Sequence, residues 1–299
     1  MPQAAAYLAR FRPSVVYTTG GYVAIPVLMA AATGRTPSLV WEGNRIPGRS
    51  VRATARLASA IAVSFDATCR ALPQPCFVTG TPIRSFAGID RAAARAHLGL
   101  PADVPVVLLF GGSQAVRRLN EAVADALPSL IERFAVLHLT GDTGYADALR
   151  RREALPEARR ERYRPYPFLR DDMAQALVAA DLLVGRAGSS TLAEAAAVGL
   201  PMVVVPYPHA AAHQEANARD FVDAGAAEVI PDEHFDGDAL LSCCAILGDP
   251  ERLARMAAAS RGMGRPGAAE ATAELLLSLA EHHALPDAGR LERITRETA

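Results

Sequence analysis

The sequence predicts an α/β protein built from parallel β-sheets in two domains. Short apolar runs alternate with alanine-rich stretches whose apolar residues recur every three or four positions, as Leu119, Val123 and Leu127 do. This alternation is typical of a parallel sheet covered by helices on both faces. A length of 299 residues is enough for two such domains. The predicted strands are Ser14–Thr18, Ser38–Trp41, Ala60–Ser64, Cys76–Thr79, Val106–Phe110, Val136–Thr140, Asp181–Gly185, Met202–Val205 and Glu228–Ile230.

The boundary between the domains is predicted between Thr81 and Pro105, where prolines and a glycine interrupt the periodic patterns. We predict a first domain over residues 1–88, a second over 89–265, and a C-terminal helix with a loosely held polar tail over 266–299. A doubly wound domain normally opens with a strand and a glycine-rich turn. Here a predicted helix over Ala4–Phe11 precedes the first strand, so we expect the first domain to be incomplete in this sequence.

Composition excludes several kinds of chemistry. All 31 basic residues are arginine, which rules out a P-loop lysine, a Schiff-base lysine and a pyridoxal-phosphate anchor. The four cysteines, Cys69, Cys76, Cys243 and Cys244, have no CxxC spacing and are predicted to be reduced and structural. No apolar run reaches the roughly 18 residues that span a bilayer, and no signal peptide is visible. We therefore expect a cytoplasmic protein.

The charge is distributed unevenly along the chain. Residues 1–88 contain nine arginines and two acidic residues (+7), whereas the remaining residues contain 22 arginines and 30 acidic residues (−8). A basic first part indicates an anionic partner, which is either a membrane surface, a phosphate-bearing substrate or a nucleic acid. Nucleic acid is disfavoured because the arginines are scattered among alanines and no aromatic platform accompanies them. A solvated basic face without a partner is the alternative.

Two glycine pairs each follow a predicted strand and precede a predicted helix. Gly20-Gly21-Tyr22 lies in the first domain, and Gly111-Gly112-Ser113-Gln114 lies in the second. Glycines allow close approach of the backbone to a ligand, and a helix N-terminus favours an anion. A tight turn or a local helix cap, with Ser113 as the capping residue, would explain the same residues without a ligand.

Arg186 to Glu194 is the segment richest in groups that could bind a ligand. A strand ends before Arg186, small and hydroxyl residues follow at Ser189, Ser190 and Thr191, and a helix then begins. The free N–H groups of the helix start and Arg186 favour an anion, and Glu194 could accept hydrogen bonds from a diol such as ribose. Helix capping with a solvated glutamate is the alternative.

Two more loops follow predicted strands. One carries Glu42 and Asn44, and another carries His213 and Gln214. Polar groups at such strand ends commonly line the ligand crevice of an open sheet. The sequence Asp236-Gly237-Asp238 has the spacing of a metal-binding DxD element, but an acidic helix N-cap is the simpler explanation. We expect no metal and no cofactor.

Taken in order, these motifs resemble the peptidoglycan-synthesis enzymes of glycosyltransferase family 28, over nearly the whole chain. The motifs are Gly20-Gly21-Tyr22, Glu42-Gly43-Asn44 with Pro47-Gly48, Thr79 to Arg84, Gly111 to Gln114, Asp171-Asp172-Met173, Arg186 to Glu194, and His213-Gln214 with Asn217. The resemblance implies a GT-B fold of two Rossmann-like domains facing a cleft. It also implies metal-independent, inverting transfer of N-acetylglucosamine from UDP-N-acetylglucosamine onto undecaprenyl-pyrophosphoryl-N-acetylmuramoyl-pentapeptide. This activity serves cell-wall biogenesis, cell shape and cell division.

The resemblance also implies residue roles. Glu194 would bind the ribose hydroxyls, Gln214 and its neighbours the nucleoside, and Ser113, Thr191 and Arg84 the diphosphate, while Asn44 and Tyr22 would line the acceptor side. Asn44 and Glu194 are the candidate catalytic residues, and no motif identifies the general base. The predicted substrate-binding residues are Gly20, Gly21, Tyr22, Glu42, Arg84, Gly112, Ser113, Gln114, Arg186, Ser189, Ser190, Thr191, Glu194, His213 and Gln214.

The chain departs from the family pattern in three places. The family's first glycine loop, with its histidine, is expected upstream of Met1, either in a longer form of this protein or in a separate chain. Gly43 stands where the family has glutamine, and Thr81 stands where it has asparagine. The partners expected are UDP-N-acetylglucosamine, the lipid-linked pyrophosphate acceptor and the anionic inner face of the plasma membrane. A UDP-sugar-binding module without catalysis and a UDP-sugar epimerase are the alternatives.

Overall fold

The computed structural model describes residues 2–111, 117–208 and 211–297. The chain divides into two compact units, Met1–Ile83 together with Arg265–Ala299, and Arg84–Gly264. Each unit contains a parallel sheet with helices packed against it. The predicted α/β class with two parallel sheets is therefore confirmed. The first unit is discontinuous in sequence, because the C-terminal segment returns to it.

The first unit has a sheet of the order β1-β2-β3-β4 in its described residues, with all neighbours parallel. Its strands are β1 Val16–Thr18, β2 Ser38–Glu42, β3 Ala60–Val63 and β4 Cys76–Val78. Its helices are α1 Pro2–Phe11, α2 Ala24–Thr33, α3 Arg49–Thr54, α4 Asp66–Cys69, α13 Ala268–Ala280 and α14 Ala288–Arg296.

The strands of this sheet are mostly apolar because both of its faces are covered. Alternate residues point to opposite faces. Val40 and Ile61 belong to the core that includes Leu28 of α2, whereas Leu39 belongs to the core that includes Leu275 of α13. The continuous apolar runs that predicted buried parallel strands are explained by this arrangement.

The expectation that the C-terminal polar tail is loosely held is wrong. Residues 288–296 form α14, in which Leu291 is buried in the core beside the first sheet. Asp287 caps the helix, because its side chain accepts a hydrogen bond from the backbone N–H of Arg290 at 2.8 Å. An aspartate cap followed by apolar Leu291 and Ile294 at helical spacing was the signal for this helix in the sequence.

The second unit has a sheet of the order β10-β9-β8-β5-β6-β7 in the part of the chain that is described, again with all neighbours parallel. Its strands are β5 Val106–Phe110, β6 Ala135–Leu139, β7 Tyr163–Tyr166, β8 Leu182–Gly185, β9 Met202–Val204 and β10 Ala227–Val229. Its helices are α5 Arg91–His97, α6 Arg117–Arg133, α7 Gly141–Ala154, α8 Met173–Ala179, α9 Ser189–Val198, α10 Ala211–Asp223, α11 Gly237–Cys244 and α12 Pro250–Met263.

Each predicted strand is present, within two residues at either end, and one further strand was not predicted. That strand, β7, reads Tyr-Arg-Pro-Tyr and contains Pro165. It lies at the edge of the second sheet, where a proline costs no ladder hydrogen bond if its nitrogen faces outward. Burial alternates along β7, with Tyr163 and Pro165 buried, so a period of two was present in a sequence poor in β-branched residues.

The prediction that all four cysteines are reduced is wrong for two of them. Cys69, at the end of α4, and Cys76, at the start of β4, form a disulfide. They are seven positions apart, and the chain between them turns back on itself. The spacing of the cysteines in the sequence did not reveal this turn. Cys243 and Cys244 are buried free thiols, as predicted.

Candidate functional site

The second sheet has a topological switch point between its central strands β5 and β8. The chain builds outward from β5 through β6 to β7, and then returns to the other side of β5 with β8, β9 and β10. In open α/β sheets, ligands bind in the crevice at the carboxyl ends of the strands where the order reverses. Phe110 and Gly185, the last residues of β5 and β8, are paired in register there. The two loops that were predicted to bind a ligand therefore leave the sheet side by side.

Gly185 is required by the close approach of these two strands. A Cβ atom built on Gly185 would overlap the carbonyl oxygen of Phe110. The switch point is consequently tight at its base. Of the loop after Phe110, the structure describes Gly111, which is buried, whereas the predicted binding residues Gly112, Ser113 and Gln114 lie outside the described residues.

The loop after β8 leads directly into α9. Its N-cap residue is Gly188, which makes no side-chain cap hydrogen bond. The first hydrogen bond of the helix runs from the N–H of Leu192 to the carbonyl oxygen of Gly188 at 3.0 Å. The first N–H groups of an α-helix have no partner inside the helix and carry a partial positive charge. Ser189, Ser190 and Thr191 thus form a first turn suited to an anion.

Glu194 lies one turn into α9, and it is mostly buried with 13% of its side chain exposed. Its Oε1 accepts a hydrogen bond from Nε of Arg84 at 2.7 Å. A second nitrogen of Arg84 donates to the carbonyl oxygen of Arg170 at 3.1 Å. The structure therefore brings together two residues that are 110 positions apart and that sequence analysis had assigned to the ribose and to the diphosphate.

Arg186 is engaged with protein groups. Its side chain is 6% exposed and donates to the carboxylate of Asp232 at 2.5 Å and to the carbonyl oxygen of Val205 at 2.9 Å. The guanidinium also lies over the ring of Tyr207, 5.4 Å from its centre. Asp232 therefore balances the charge of Arg186, and the side chain ties the end of β8 to the end of β9.

Asp232 was not predicted from the sequence. It follows β10, and its Oδ1 accepts a hydrogen bond from Arg186. Its Oδ2 forms an ion pair with Nε of Arg118 at 3.0 Å. Arg118 lies in the first turn of α6, next to the switch point. Asp232 is 46 positions from Arg186, and no local pattern links the two.

Two further predicted residues lie at the start of α10. The side-chain oxygen of Gln214 accepts a hydrogen bond from the backbone N–H of Tyr207 at 2.9 Å, which fixes the loop after β9 against the helix. The amide NH₂ of Gln214 is a donor that could face a ligand. His213 is exposed on the same turn.

In the first unit, the loop after β1 has the backbone that its glycines predict. Gly20 and Gly21 have φ values of 83° and 82°, a region that favours glycine. The N–H of Gly21 donates to the hydroxyl of Ser50 at 3.1 Å, so this loop is held against the start of α3. Tyr22 follows and is 77% exposed.

Glu42 organises the loop after β2. It is buried, its Oε1 accepts from the backbone N–H and the side-chain amide of Asn44, and its Oε2 accepts from the N–H of Gly48 at 2.7 Å. The hydroxyl of Thr68 donates to the carbonyl oxygens of Asn44 and Arg45. The side chain of Asn44 is thus held in a fixed position by Glu42.

A buried polar network lies between α6, β6 and β7 in the second unit. His138 of β6 is hydrogen-bonded through Nδ1 to the hydroxyl of Tyr163 at 3.0 Å, and through Nε2 to the side-chain oxygen of Asn120 at 2.9 Å. Burial lowers the pKa of His138 to about 3 and raises the pKa of Tyr163. Both groups are therefore neutral in the folded protein at physiological pH. Sequence analysis did not identify this network.

Within the described ranges, no three His, Cys, Asp or Glu side chains form a group that could hold a metal ion. Asp236 of the DxD-like sequence caps α11, as predicted, because its Oδ1 accepts from the N–H of Ala239 at 2.9 Å. Among the same residues, no helix is both long enough and apolar enough to cross a membrane.

Comparison with known families decides the classification. Residues 106–272 match the glycosyltransferase family 28 C-terminal domain, and residues 1–63 match the family 28 N-terminal domain. The chain belongs to glycosyltransferase family 28. The family resemblance stated from the motifs is therefore confirmed, and the chain is a glycosyltransferase.

Curated family 28 relatives are similar along most of the chain. A protein of Chlorobaculum parvum is 39% identical over 283 residues, which cover 93% of this chain and 76% of the relative. A protein of Moorella thermoacetica is 40% identical over 281 residues, which cover 91% and 76%. Both are named UDP-N-acetylglucosamine--N-acetylmuramyl-(pentapeptide) pyrophosphoryl-undecaprenol N-acetylglucosamine transferase.

Solved structures agree with this family 28 assignment. Acinetobacter baumannii MurG superposes with a TM-score of 0.72 at 28% identity, over 92% of this chain and 76% of that one. A Listeria monocytogenes protein described as a UDP-N-acetylglucosamine 2-epimerase superposes with a TM-score of 0.69 at 16% identity, over 96% of this chain and 80% of that one. The second likeness shows the fold alone. The predicted GT-B fold class is confirmed by the MurG and glycosyltransferase neighbours.

Proposed function

We propose that this chain transfers N-acetylglucosamine from UDP-N-acetylglucosamine onto undecaprenyl-pyrophosphoryl-N-acetylmuramoyl-pentapeptide. The family membership supports a glycosyl transfer, and the names of the relatives supply this donor and acceptor. One observation carries the donor assignment. The start of α9, without a side-chain cap, and the carboxylate of Glu194 one turn later lie together at the switch point of the second sheet.

In this proposal the second unit binds the donor. The N–H groups and hydroxyls of Ser189, Ser190 and Thr191 bind the diphosphate, because a helix N-terminus is a ready site for phosphate. The carboxylate of Glu194 accepts hydrogen bonds from the two ribose hydroxyls. The amide NH₂ of Gln214, whose oxygen is held by Tyr207, donates to the nucleoside or the sugar.

The reaction is an inverting displacement. A hydroxyl oxygen of the acceptor sugar forms a bond to the anomeric carbon of N-acetylglucosamine, the bond from that carbon to the β-phosphate oxygen breaks, and the hydroxyl proton passes to a base. Negative charge grows on the departing UDP. The start of α9 stabilises this charge, because its oriented N–H groups are in place before the reaction. In this proposal the start of α9, and not a metal ion, stabilises the departing UDP.

The first unit binds the acceptor in this proposal. It contains 12 arginines and eight acidic residues, a net charge of +4 that favours a pyrophosphate. Tyr22 is exposed beside the glycine turn, and Asn44 is fixed by Glu42 at the neighbouring strand end. We place both residues on the acceptor side.

The same unit provides a surface for an anionic membrane. None of the residues of α1 is fully buried, and Tyr7 and Phe11 are 52% and 70% exposed and stack with ring centres 6.2 Å apart. Arg10 lies over the ring of Phe11. Aromatic and arginine side chains together are typical of helices that lie in the membrane interface. Peripheral binding at the inner face of the plasma membrane follows from this proposal.

Vesicle co-sedimentation tests the membrane part. The protein should sediment with vesicles containing phosphatidylglycerol, and less with vesicles of phosphatidylcholine alone. The double variant Tyr7→Ser/Phe11→Ser should lose most of this binding, whereas Tyr145→Ser, on α7 of the second unit, should not. If Tyr7→Ser/Phe11→Ser and Tyr145→Ser sediment equally, α1 does not bind the membrane.

Calorimetry with UDP tests the donor assignment. Glu194→Gln should weaken binding by at least about tenfold, because hydrogen bonds to a charged group are lost. Glu251→Gln, the same substitution at an exposed carboxylate on α12, should leave binding unchanged. No uptake of UDP by the folded wild-type protein would refute the assignment.

A transfer assay separates the proposed reaction from the binding-only alternative. The measured quantity is UDP release from UDP-N-acetylglucosamine with a lipid-linked pyrophosphoryl-N-acetylmuramoyl-pentapeptide as acceptor. Turnover that is lost in Glu194→Gln supports the transferase. Binding of UDP without turnover would instead support a UDP-sugar-binding module that needs a separate segment for catalysis. Epimerisation needs two carboxylates that act as acid and base. It is disfavoured because both oxygens of Glu42, the other candidate besides Glu194, accept hydrogen bonds from its own loop.

A further inference from the structure

Arg84 is fixed at two points beside Glu194. Its Nε donates to Oε1 of Glu194 at 2.7 Å, and a terminal nitrogen donates to the carbonyl oxygen of Arg170 at 3.1 Å. The arginine side chain is 40% exposed, while the glutamate side chain is 13% exposed. The carboxylate is therefore the more enclosed partner, and the arginine reaches it from the solvent side.

This contact restricts the orientation of the carboxylate. A glutamate on a helix has several rotamers, and a hydrogen bond from a planar guanidinium selects among them. The anchor at the backbone of Arg170 holds the guanidinium itself, so the selection does not depend on a freely moving side chain. An exposed ion pair without such an anchor would contribute little.

The hydrogen bond from Arg84 uses one acceptor position of the Glu194 carboxylate. An ionised carboxylate has about four acceptor positions, and Arg84 occupies one of those on Oε1. A pair of neighbouring hydroxyls can donate to the remaining positions without displacing the arginine. Because removal of Arg84 would free the carboxylate to rotate, its effect should be confined to ligands that present a diol.

We infer that Arg84 is a positioning residue, which holds Glu194 in the orientation that receives the 2′,3′-diol of the donor ribose. The inference rests on the proposed function, in which Glu194 binds that diol. This role differs from the diphosphate contact that the family resemblance implies for Arg84.

Calorimetry with UDP and with 2′,3′-dideoxyuridine diphosphate tests the inference. Arg84→Gln should weaken the binding of UDP about tenfold, because a preoriented carboxylate is lost. The same variant should weaken the binding of the dideoxy nucleotide less than twofold. Arg170→Gln is the matched control, since it removes a neighbouring positive charge but keeps the carbonyl that Arg84 uses, and it should bind both nucleotides like the wild type.

A double-variant cycle provides a second readout. In the Glu194→Gln background, Arg84→Gln should weaken UDP binding less than twofold further, because its target carboxylate is already gone. Equal losses for both nucleotides, or additive losses in the double variant, would show that Arg84 binds the diphosphate directly and would overturn the inference. Unchanged or tighter binding of UDP by Arg84→Gln would overturn it as well.

Thermal unfolding of each variant verifies that the protein is folded. The proposed function fails separately, and earlier, if the wild-type protein takes up no UDP. A wild type that binds UDP with variants that do not discriminate between the nucleotides leaves the donor assignment intact and removes only the role of Arg84.

Discussion

Acidification should destabilise the second unit through His138. This histidine is buried on β6, and burial lowers its pKa to about 3, whereas an unfolded chain has the ordinary value near 6.5. Below pH 6.5 the unfolded chain therefore takes up a proton that the folded chain does not. The stability contributed by neutral His138 is complete above pH 6.5 and is lost as the pH falls towards 3. The loss is about 1.4 kcal/mol per pH unit, or about 2 kcal/mol at pH 5.

Burial disfavours a second proton on the ring, and the hydrogen bonds around it suit the neutral form. The side-chain NH₂ of Asn120 donates to the carbonyl oxygen of Thr140 at 2.9 Å, which turns its oxygen towards Nε2 of His138. Nε2 therefore carries the proton, and Nδ1 accepts from the hydroxyl of Tyr163. A proton on Nδ1 would place a positive charge in a buried site and would require the hydroxyl of Tyr163 to turn and accept.

Hydrogen–deuterium exchange of the β6 amides measures this effect, because the one tryptophan, Trp41, lies in the first unit and does not report on the second. His138→Gln should be less stable than the wild type at pH 7.5, and the difference should shrink by about 2 kcal/mol by pH 5. Other titrating groups are common to both proteins and cancel. His234→Gln, the same substitution at an exposed position, is the matched control. A constant difference for His138→Gln would refute the reasoning.

Three further perturbations have definite expectations. Gly185→Ala should lower stability by about 1–3 kcal/mol and weaken UDP binding, because the added methyl meets the Phe110 carbonyl at the switch point. Glu42→Ala should lower the stability of the first unit by about 1–3 kcal/mol, measured by Trp41 fluorescence during urea unfolding, because partly buried N–H groups lose their acceptor. Reduction of the disulfide between Cys69 and Cys76 should lower the stability of that unit by about 2–3 kcal/mol in the chain-entropy account.

Matched substitutions make these three expectations specific. Gly262→Ala, at a helical glycine whose added methyl meets no atom within 4 Å, should not destabilise the protein. A protein with both Cys69→Ser and Cys76→Ser should unfold identically with and without a reducing agent. If Glu42→Ala unfolds like the wild type, the loop after β2 does not depend on that carboxylate.

The sequence allowed the sheets to be predicted because both faces of each are buried. Continuous apolar runs such as Val106–Phe110 can be recognised without any knowledge of their neighbours. The edge strand β7 and the helix α14 were not predicted, because proline and polar residues dominate their sequences, and packing against the rest of the unit stabilises them. Their local patterns are short, so their stability depends mainly on tertiary contacts.

The predicted site was recognisable for a similar reason. The strand–glycine–helix pattern from Arg186 to Glu194 is local, so the start of α9 could be placed from sequence alone. The pairing of Arg186 with Asp232 and of Arg84 with Glu194 could not, because these partners are 46 and 110 positions apart. The chemical identity of a group was therefore predictable, but its partner was not.

The return of the C-terminal helices to the first unit affects how the protein is made. One face of the first sheet is covered by Leu275 and Leu291, which leave the ribosome only after all of residues 84–264 have been synthesised. Until then the nascent first unit exposes Leu39 and its neighbours to solvent. Such transient apolar surface attracts chaperones and other nascent chains. Slow translation of the second unit should therefore lower the yield of soluble protein, although every residue of the first sheet has already been made.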